Sequence, residues 1–298
     1  MPSLQARIVE WLIPLARAKH VFQSEEALRR DIARRRRHGP AVPSSRMRRQ
    51  HQIEEHTFQG CPVFTVRPRE VGSGRHILYL HGGGYFAPMF AAHWWIVRRL
   101  VRRLNAAVTV PFYPLAPEHT APEALNLMLG LARELIERAG NSNVTFAGDS
   151  AGGGIALALA QQLRDQSLPL PARLVLLSPW LDVTLSDPSQ PALARIDPIL
   201  DMPGGRIAGR MYAGELSPTD PRVSSLFGTV RGLPPIAVIT GTHDLLYPDA
   251  RRLADKARQE GARLDLYEYD SLFHVFVAVG LPETRRAMDQ IAAFIEAS

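Results

Sequence analysis

Val144-Thr145-Phe146-Ala147-Gly148-Asp149-Ser150-Ala151-Gly152 carries an apolar, β-branched run into a G-x-S-x-G turn and then into the small-residue stretch Ala151 to Ala160. Strand, tight turn and helix in that order hold a serine on a strained backbone, with its hydroxyl projecting at the carboxyl edge of a sheet. Gly148 and Gly152 must then be small, so that strand and helix can approach closely. The start of the helix also favours negative charge developing beside the serine. A glycine-rich helix start with Ser150 as an ordinary N-cap is the plainer alternative, and the flanking sequence decides between the two.

On both sides of this turn, short β-branched or aromatic runs alternate with helical patterns. That alternation predicts an α/β fold with a mostly parallel, eight-stranded central sheet flanked by helices. The expected strands are Ile53 to Phe58, Val63 to Val66, His76 to Leu80, Ala107 to Pro111, Val144 to Ala147, Leu174 to Leu177, Ile236 to Thr240 and Leu264 to Tyr269. The first pair, joined at Gln59-Gly60, reads as antiparallel, whereas the later strands need crossovers long enough for helices. Those helices are expected at His93 to Asn105, Pro122 to Ala139, Ala151 to Gln166, Asp249 to Glu260 and Glu283 to Glu296.

Two segments break the alternation. Residues 1–50 read as amphipathic helices, Leu4 to Phe22 and Ser24 to Arg36, followed by a Pro/Ser/Arg linker near Gly39 to Arg49. Residues 183–233, inside a catalytic domain spanning 51–298, form a long Pro-, Asp- and Gly-rich insertion with helix expected at Gly205 to Tyr212. Insertions of that length in compact domains are commonly lids or binding loops, so both segments are cap candidates.

The net charge of +6 is unevenly spread. Residues 1–50 hold twelve Lys/Arg against four acidic residues, which leaves the remaining chain with 23 basic and 25 acidic residues. Lys19 and Lys256 are the only lysines, a bias toward arginine that needs no functional cause. With no stacking-aromatic or groove-reading motif beside the basic segment, a nucleic-acid partner is not expected. A single cysteine, Cys61, excludes an intramolecular disulfide. Ile8 to Leu15 is too short, and too interrupted by Glu10 and Pro14, for a signal peptide or membrane span, so a cytoplasmic location is expected.

His81-Gly82-Gly83-Gly84-Tyr85 follows the strand His76 to Leu80. Three consecutive glycines suit a backbone that approaches a ligand and points its amides at it. Together with the amide after the serine, Gly83, Gly84 and Ala151 are the expected oxyanion-hole donors. An acid and then a base should follow the serine at strand ends. Asp244, after the strand Ile236 to Thr240, fits the acid better than Asp249, which falls in the first turn of the next helix with an ordinary capping role. His274 is the only histidine after Asp244 and sits just beyond the last strand, which makes it the expected base. His243 adjoins the acid and faces away from it if the strand alternates, and His81, His93 and His119 precede the serine. Ser150, His274 and Asp244 would then run acyl transfer through a covalent intermediate. This chemistry requires no cofactor, and no metal-spaced His/Cys cluster is present.

These motifs closely resemble the bacterial hormone-sensitive-lipase-like esterases of the α/β-hydrolase superfamily. The likeness spans roughly residues 50 to 298. It rests on His81 to Tyr85, Tyr113-Pro114-Leu115-Ala116-Pro117-Glu118-His119, Gly148-Asp149-Ser150-Ala151-Gly152-Gly153 and Ser178-Pro179-Trp180-Leu181-Asp182, with Asp244 and His274. The chain departs from the family pattern at Val275, where glycine is common, and at Leu245-Leu246 in place of Pro-Leu after the acid. The resemblance implies a helical cap over Ser150, a preference for esters of short to medium chain length, and dimerisation through the edge strand Leu264 to Tyr269. Candidate pocket residues are Tyr85, Phe86, Met211 and Tyr212, with Trp11, Phe22 and Phe276. The competing expectations are a deacetylase or amidase using the same residues, a lipase acting at lipid surfaces, and a non-catalytic ligand-binding member of the fold.

Overall fold

The computed structural model describes residues 1–16 and 18–297. A single sheet contains β1 (Gln52–Phe58), β2 (Cys61–Arg67), β3 (His76–Leu80), β4 (Ala107–Pro111), β5 (Val144–Asp149), β6 (Arg173–Leu177), β7 (Ile236–Gly241) and β8 (Leu264–Tyr269). The α-helices among the described residues are α1 (Leu4–Leu12), α2 (Glu25–His38), α3 (Ser45–Gln50), α4 (Ala91–Leu104), α5 (Ala121–Ala139), α6 (Ala151–Asp165), α7 (Gln190–Ile196), α8 (Met202–Ala213), α9 (Tyr247–Glu260) and α10 (Pro282–Glu296). The spatial strand order is β1-β2-β4-β3-β5-β6-β7-β8. β2 runs antiparallel to both neighbours, and every pair from β4 to β8 is parallel. The predicted α/β sheet is therefore present, with strand and helix ends displaced by a residue or two.

β3, β5 and β7 are buried at every residue, so their apolar runs serve two faces at once. Leu78, Phe146, Leu176 and Val238 pack with α5, α6 and α9 on one side. Ile77, Tyr79, Ala147, Val175 and Ile239 pack with α4 and α10 on the other. Each fully buried aliphatic side chain contributes about 1.5–3 kcal/mol. Exposed ion pairs contribute about 0–1 kcal/mol, so the two apolar layers, rather than the surface charges, hold the sheet. Cys61 is buried on β2, and burial pushes its thiol up to about 11.

The N-terminal segment departs from the predicted pattern. Instead of one helix to Phe22, α1 gives way to short 3₁₀ turns at Ile13–Ala16 and Ala18–Phe22. Pro14 supplies no amide there, so the α-helical ladder cannot continue through it. The supposed linker contains α3, started by Ser44, whose hydroxyl accepts the Met47 amide at 3.2 Å, and closed over buried Met47. The 183–233 insertion holds α7 as well as α8, which covers the expected helical stretch.

Parts of both segments, Val21 and Phe22 from one and Ile199 and Leu200 from the other, line the cavity at Ser150, and the two are tied to each other. Lys19 Nζ donates to the backbone carbonyls of Ala194 and Asp197, the latter at 2.8 Å. Arg36 on α2 reaches into the body: it donates to Phe86 O at 2.7 Å and Ala116 O at 2.8 Å, and pairs with Glu118 at 2.8 Å. Leu4, Ile8, Trp11, Leu12 and Leu15 turn outward, with Trp11 76% exposed. Among the described residues, no helix is long and apolar enough to cross a membrane.

Arg36→Ala strips two buried carbonyls of a charged donor, and such bonds contribute about 1.5–3 kcal/mol each. The expected loss is about 3 kcal/mol, the lower end for two such bonds, read as a lower urea midpoint at an unchanged slope. An unaltered midpoint would show that α2 docks independently of this contact.

Candidate active site

Ser150 joins β5 to α6 with φ 51° and ψ −123°, a conformation that only a tightly packed turn can hold. The backbone enforces it: Ser150 N donates to Leu177 O at 2.9 Å, and Ser150 O accepts from Gly153, Gly154 and Trp180 amides. A Cβ on Gly152 would lie 2.0 Å from Leu80 O, and one on Gly148 would lie 2.3 Å from Gly152 O, so neither position admits a side chain. The small flanks expected of this turn are thus a steric requirement.

His274, on the loop after β8, meets the serine. Its Nε2 is 2.9 Å from Ser150 Oγ, and its Nδ1 is 2.9 Å from Asp244 Oδ2. A carboxylate partner can only accept, so Nδ1 carries the proton and Nε2 is free to take one from Ser150. Asp244 is fully buried at the end of β7, and its other oxygen accepts the Leu246 amide at 2.9 Å. Burial alone would lower the His274 pKa. The charge and hydrogen bond of Asp244 outweigh it, with Asp197 and Asp149 adding, and the net shift is upward. Asp249, the alternative acid, instead lies in the first turn of α9 and pairs with Arg252 at 3.1 Å. His243 turns away to Glu10 Oε1 at 2.6 Å.

The glycine loop arches beside the serine. Gly83 has φ 118°, and a Cβ there would meet Ala87 O at 2.7 Å. Gly83, Gly84 and Ser150 line one cavity, and the amides of Gly83, Gly84 and Ala151 donate to no protein acceptor among the described residues. The loop is anchored by Asp149, which accepts the Gly82 amide at 2.9 Å and the Tyr79 hydroxyl and lies 3.4 Å from His93 Nε2. Burial pushes Asp149 upward, but His93 and these hydrogen bonds overcome it, so its carboxyl sits below the usual range.

A carboxylate and a hydroxyl that sequence reasoning left without a role stand out. Asp197, from the insertion, is 1% exposed and accepts the amides of Ile199, Leu200 and Leu245, the last at 2.7 Å. It thereby holds the residue after Asp244. Ser178 Oγ accepts the amide of Val275 at 3.0 Å, fixing the residue after His274. Val275 has φ 50°, a left-handed conformation costly for a β-branched residue, which accounts for the glycine common there in the resembling family. Of the pocket candidates, Phe86 and Phe22 line the cavity at Ser150. Tyr85 and Tyr212 do not; they stack on each other at 3.8 Å behind it. Met211 is half-buried in the core, Phe276 is fully buried on the other face of the sheet, and Trp11 points to solvent. Distance along the chain carries no trace of Asp197, whereas Ser178 falls inside a motif already singled out.

A model of the α/β-hydrolase fold family matches residues 77–278. The chain belongs to the α/β-hydrolase family. This hydrolase is 35% identical to an acetyl-hydrolase from Streptomyces hygroscopicus over 80% of its own length and 81% of the relative's. It is 32% identical to an esterase from Acinetobacter venetianus over 73% of each chain. The crystal structure of an esterase from the bacterial hormone-sensitive lipase family superposes with a TM-score of 0.85 at 28% identity, covering 99% of this chain and 98% of that one. The hydrolase is a carboxylic ester hydrolase of that esterase group.

The buried carboxyl of Asp197 supplies a pH test. Burial first, then the charge of Asp244, raise it from 3.8 to about 6. An acid whose folded pKa is raised keeps its proton more tightly in the folded state, so stability falls as pH climbs from about 4 to about 6. Asp197→Asn retains one acceptor and loses this titration. The unfolding free energy of the parent relative to the variant should therefore be larger at pH 4 than at pH 7. A difference independent of pH would contradict the assignment.

Proposed function

We propose that this hydrolase cleaves carboxylic esters of short to medium chain length, with Ser150 as nucleophile, His274 as base and acid, and Asp244 as the orienting carboxylate. The observation that carries this reading is the continuous Ser150–His274–Asp244 hydrogen-bond relay, 2.9 Å at each link, beside three amides without protein acceptors among the described residues.

The steps follow from these positions. As Ser150 Oγ attacks the acyl carbon, Nε2 of His274 takes its proton. The carbonyl oxygen becomes an oxyanion, which the Gly83, Gly84 and Ala151 amides stabilise; losing one such donor typically costs about 10²–10³ in rate. His274 then returns the proton to the departing alkoxide, leaving an acyl-serine. Water activated by the same imidazole releases the acid. Residues 1–50 and the 183–233 insertion act as the cap, supplying Phe22 and Leu200 to the walls beside Ser150.

Ser150→Ala should abolish turnover of a p-nitrophenyl ester series from acetate to palmitate, while the unmodified chain takes up a fluorophosphonate at Ser150. Turnover retained by the variant would overturn the mechanism, and faster cleavage of a matched amide would overturn the choice of ester. Because His274 must be neutral to accept the serine proton and its pKa is raised above 6.5, kcat/KM should fall as pH drops, with the midpoint of that acid limb above 6.5. A limb well below that value would remove Asp244 from the role given to it.

A further inference from the structure

Ser150 stands between two cavities of very different size. One, of about 20 Å³, is walled by Trp180, Leu185, Leu245 and Leu246, with Asp201 and Gly205 closing it. The other, of about 310 Å³, is lined by Ile13, Val21, Phe90, Ile199, Phe273 and His274 among others. Phe22 and Leu200 border both and form the partition. Roughly 10–15 Å³ of such space holds one water, so the small cavity has room for about a methyl group.

The chemistry assigns each side. The departing oxygen must receive its proton from His274 Nε2, so the alcohol half of an ester occupies the side on which His274 lies. The acyl half points the other way, into the small cavity. From this partition we infer that the enzyme is selective for acetyl-sized acyl groups on esters of larger, apolar alcohols. The inference rests on the proposed roles of Ser150 and His274, and distributes the short-to-medium length between the two halves of the substrate.

The small cavity is not free to widen. Trp180, Leu185, Leu245 and Leu246 are all nearly fully buried. Trp180 is backed by Tyr85 at 5.1 Å between ring centroids, the Tyr85 hydroxyl donates to Trp180 O at 3.2 Å, and Tyr212 stacks on the far face of this group. Asp201 adds a carboxylate that caps α8, which discourages a longer alkyl chain. The large cavity rewards one instead, since each buried methylene contributes about fourfold in binding.

Hexyl acetate and methyl heptanoate are isomers with the ester at opposite ends of a similar chain, so they separate acyl from alcohol size at nearly constant hydrophobicity. Hexyl acetate should show at least tenfold higher kcat/KM, and Leu185→Ala, which enlarges the acyl side, should shrink that ratio severalfold. Equal or preferred cleavage of methyl heptanoate by the unmodified enzyme would overturn the partition, whether or not the variant folds. So would failure on both isomers while p-nitrophenyl acetate is still cleaved, or a folded Leu185→Ala with an unchanged ratio. Absence of cleavage of every ester would instead overturn the hydrolase reading itself.

Discussion

One close approach shapes the site: α6 is pressed so near the end of β3 that a methyl group on Gly152 would overlap Leu80 O at 2.0 Å. This crowding is tolerable only because the residues at the crossing are glycine, and the apolar layers on both faces of the sheet supply the force that maintains it. Ser150 is bent out of ordinary backbone space as a result. The glycine loop is crowded against the same turn: a Cβ on Gly82 would lie 3.0 Å from Ser150 Cβ, so the loop and the serine share one steric constraint. A strained residue of this kind costs about 1–3 kcal/mol, small against the burial that surrounds it.

A second theme is the concentration of acid around one imidazole. Asp244, Asp197 and Asp149 all push the His274 pKa upward against the effect of burial. They come from three different regions: the end of β7, the insertion, and the residue before the nucleophile. These carboxylates favour a protonated His274, the state that the proposed attack by Ser150 would produce. Burial first, then the charge of Asp244, raise the Asp197 carboxyl, so part of the repulsion is relieved by proton uptake.

Much of this organisation was legible before any coordinate. The central strands could be read because two-sided burial demands unbroken apolar runs, and Ser150, Asp244 and His274 because each follows such a run in a fixed order. The structure adds the distances that join them. What escaped the sequence depends on contacts between distant segments. Asp197 sits 47 positions before Asp244, and only folding brings its carboxylate to Leu245 N. Tyr85 and Phe86 are adjacent aromatics, yet Phe86 lines the cavity and Tyr85, at φ 66°, packs behind it with its hydroxyl on Trp180 O, a division that composition does not reveal. The break after α1 and the helix α3 were missed because short turns leave little periodicity to read.

The N-terminal segment has a consequence in time as well as space. Its partners lie far along the chain: Ser3 holds Glu283, Glu10 holds His243, and Lys19 holds the carbonyls of Ala194 and Asp197. These contacts close loops of 175 to 280 residues, so the wall they form around the large cavity assembles after the elements it docks on. On warming, the order reverses. With Leu4, Ile8, Trp11, Leu12 and Leu15 exposed, this segment has fewer buried apolar contacts than the sheet and loosens before it does. The walls around the cavity then slacken while the serine is still correctly placed, and heat erodes discrimination between substrates before it erodes the capacity to cleave them.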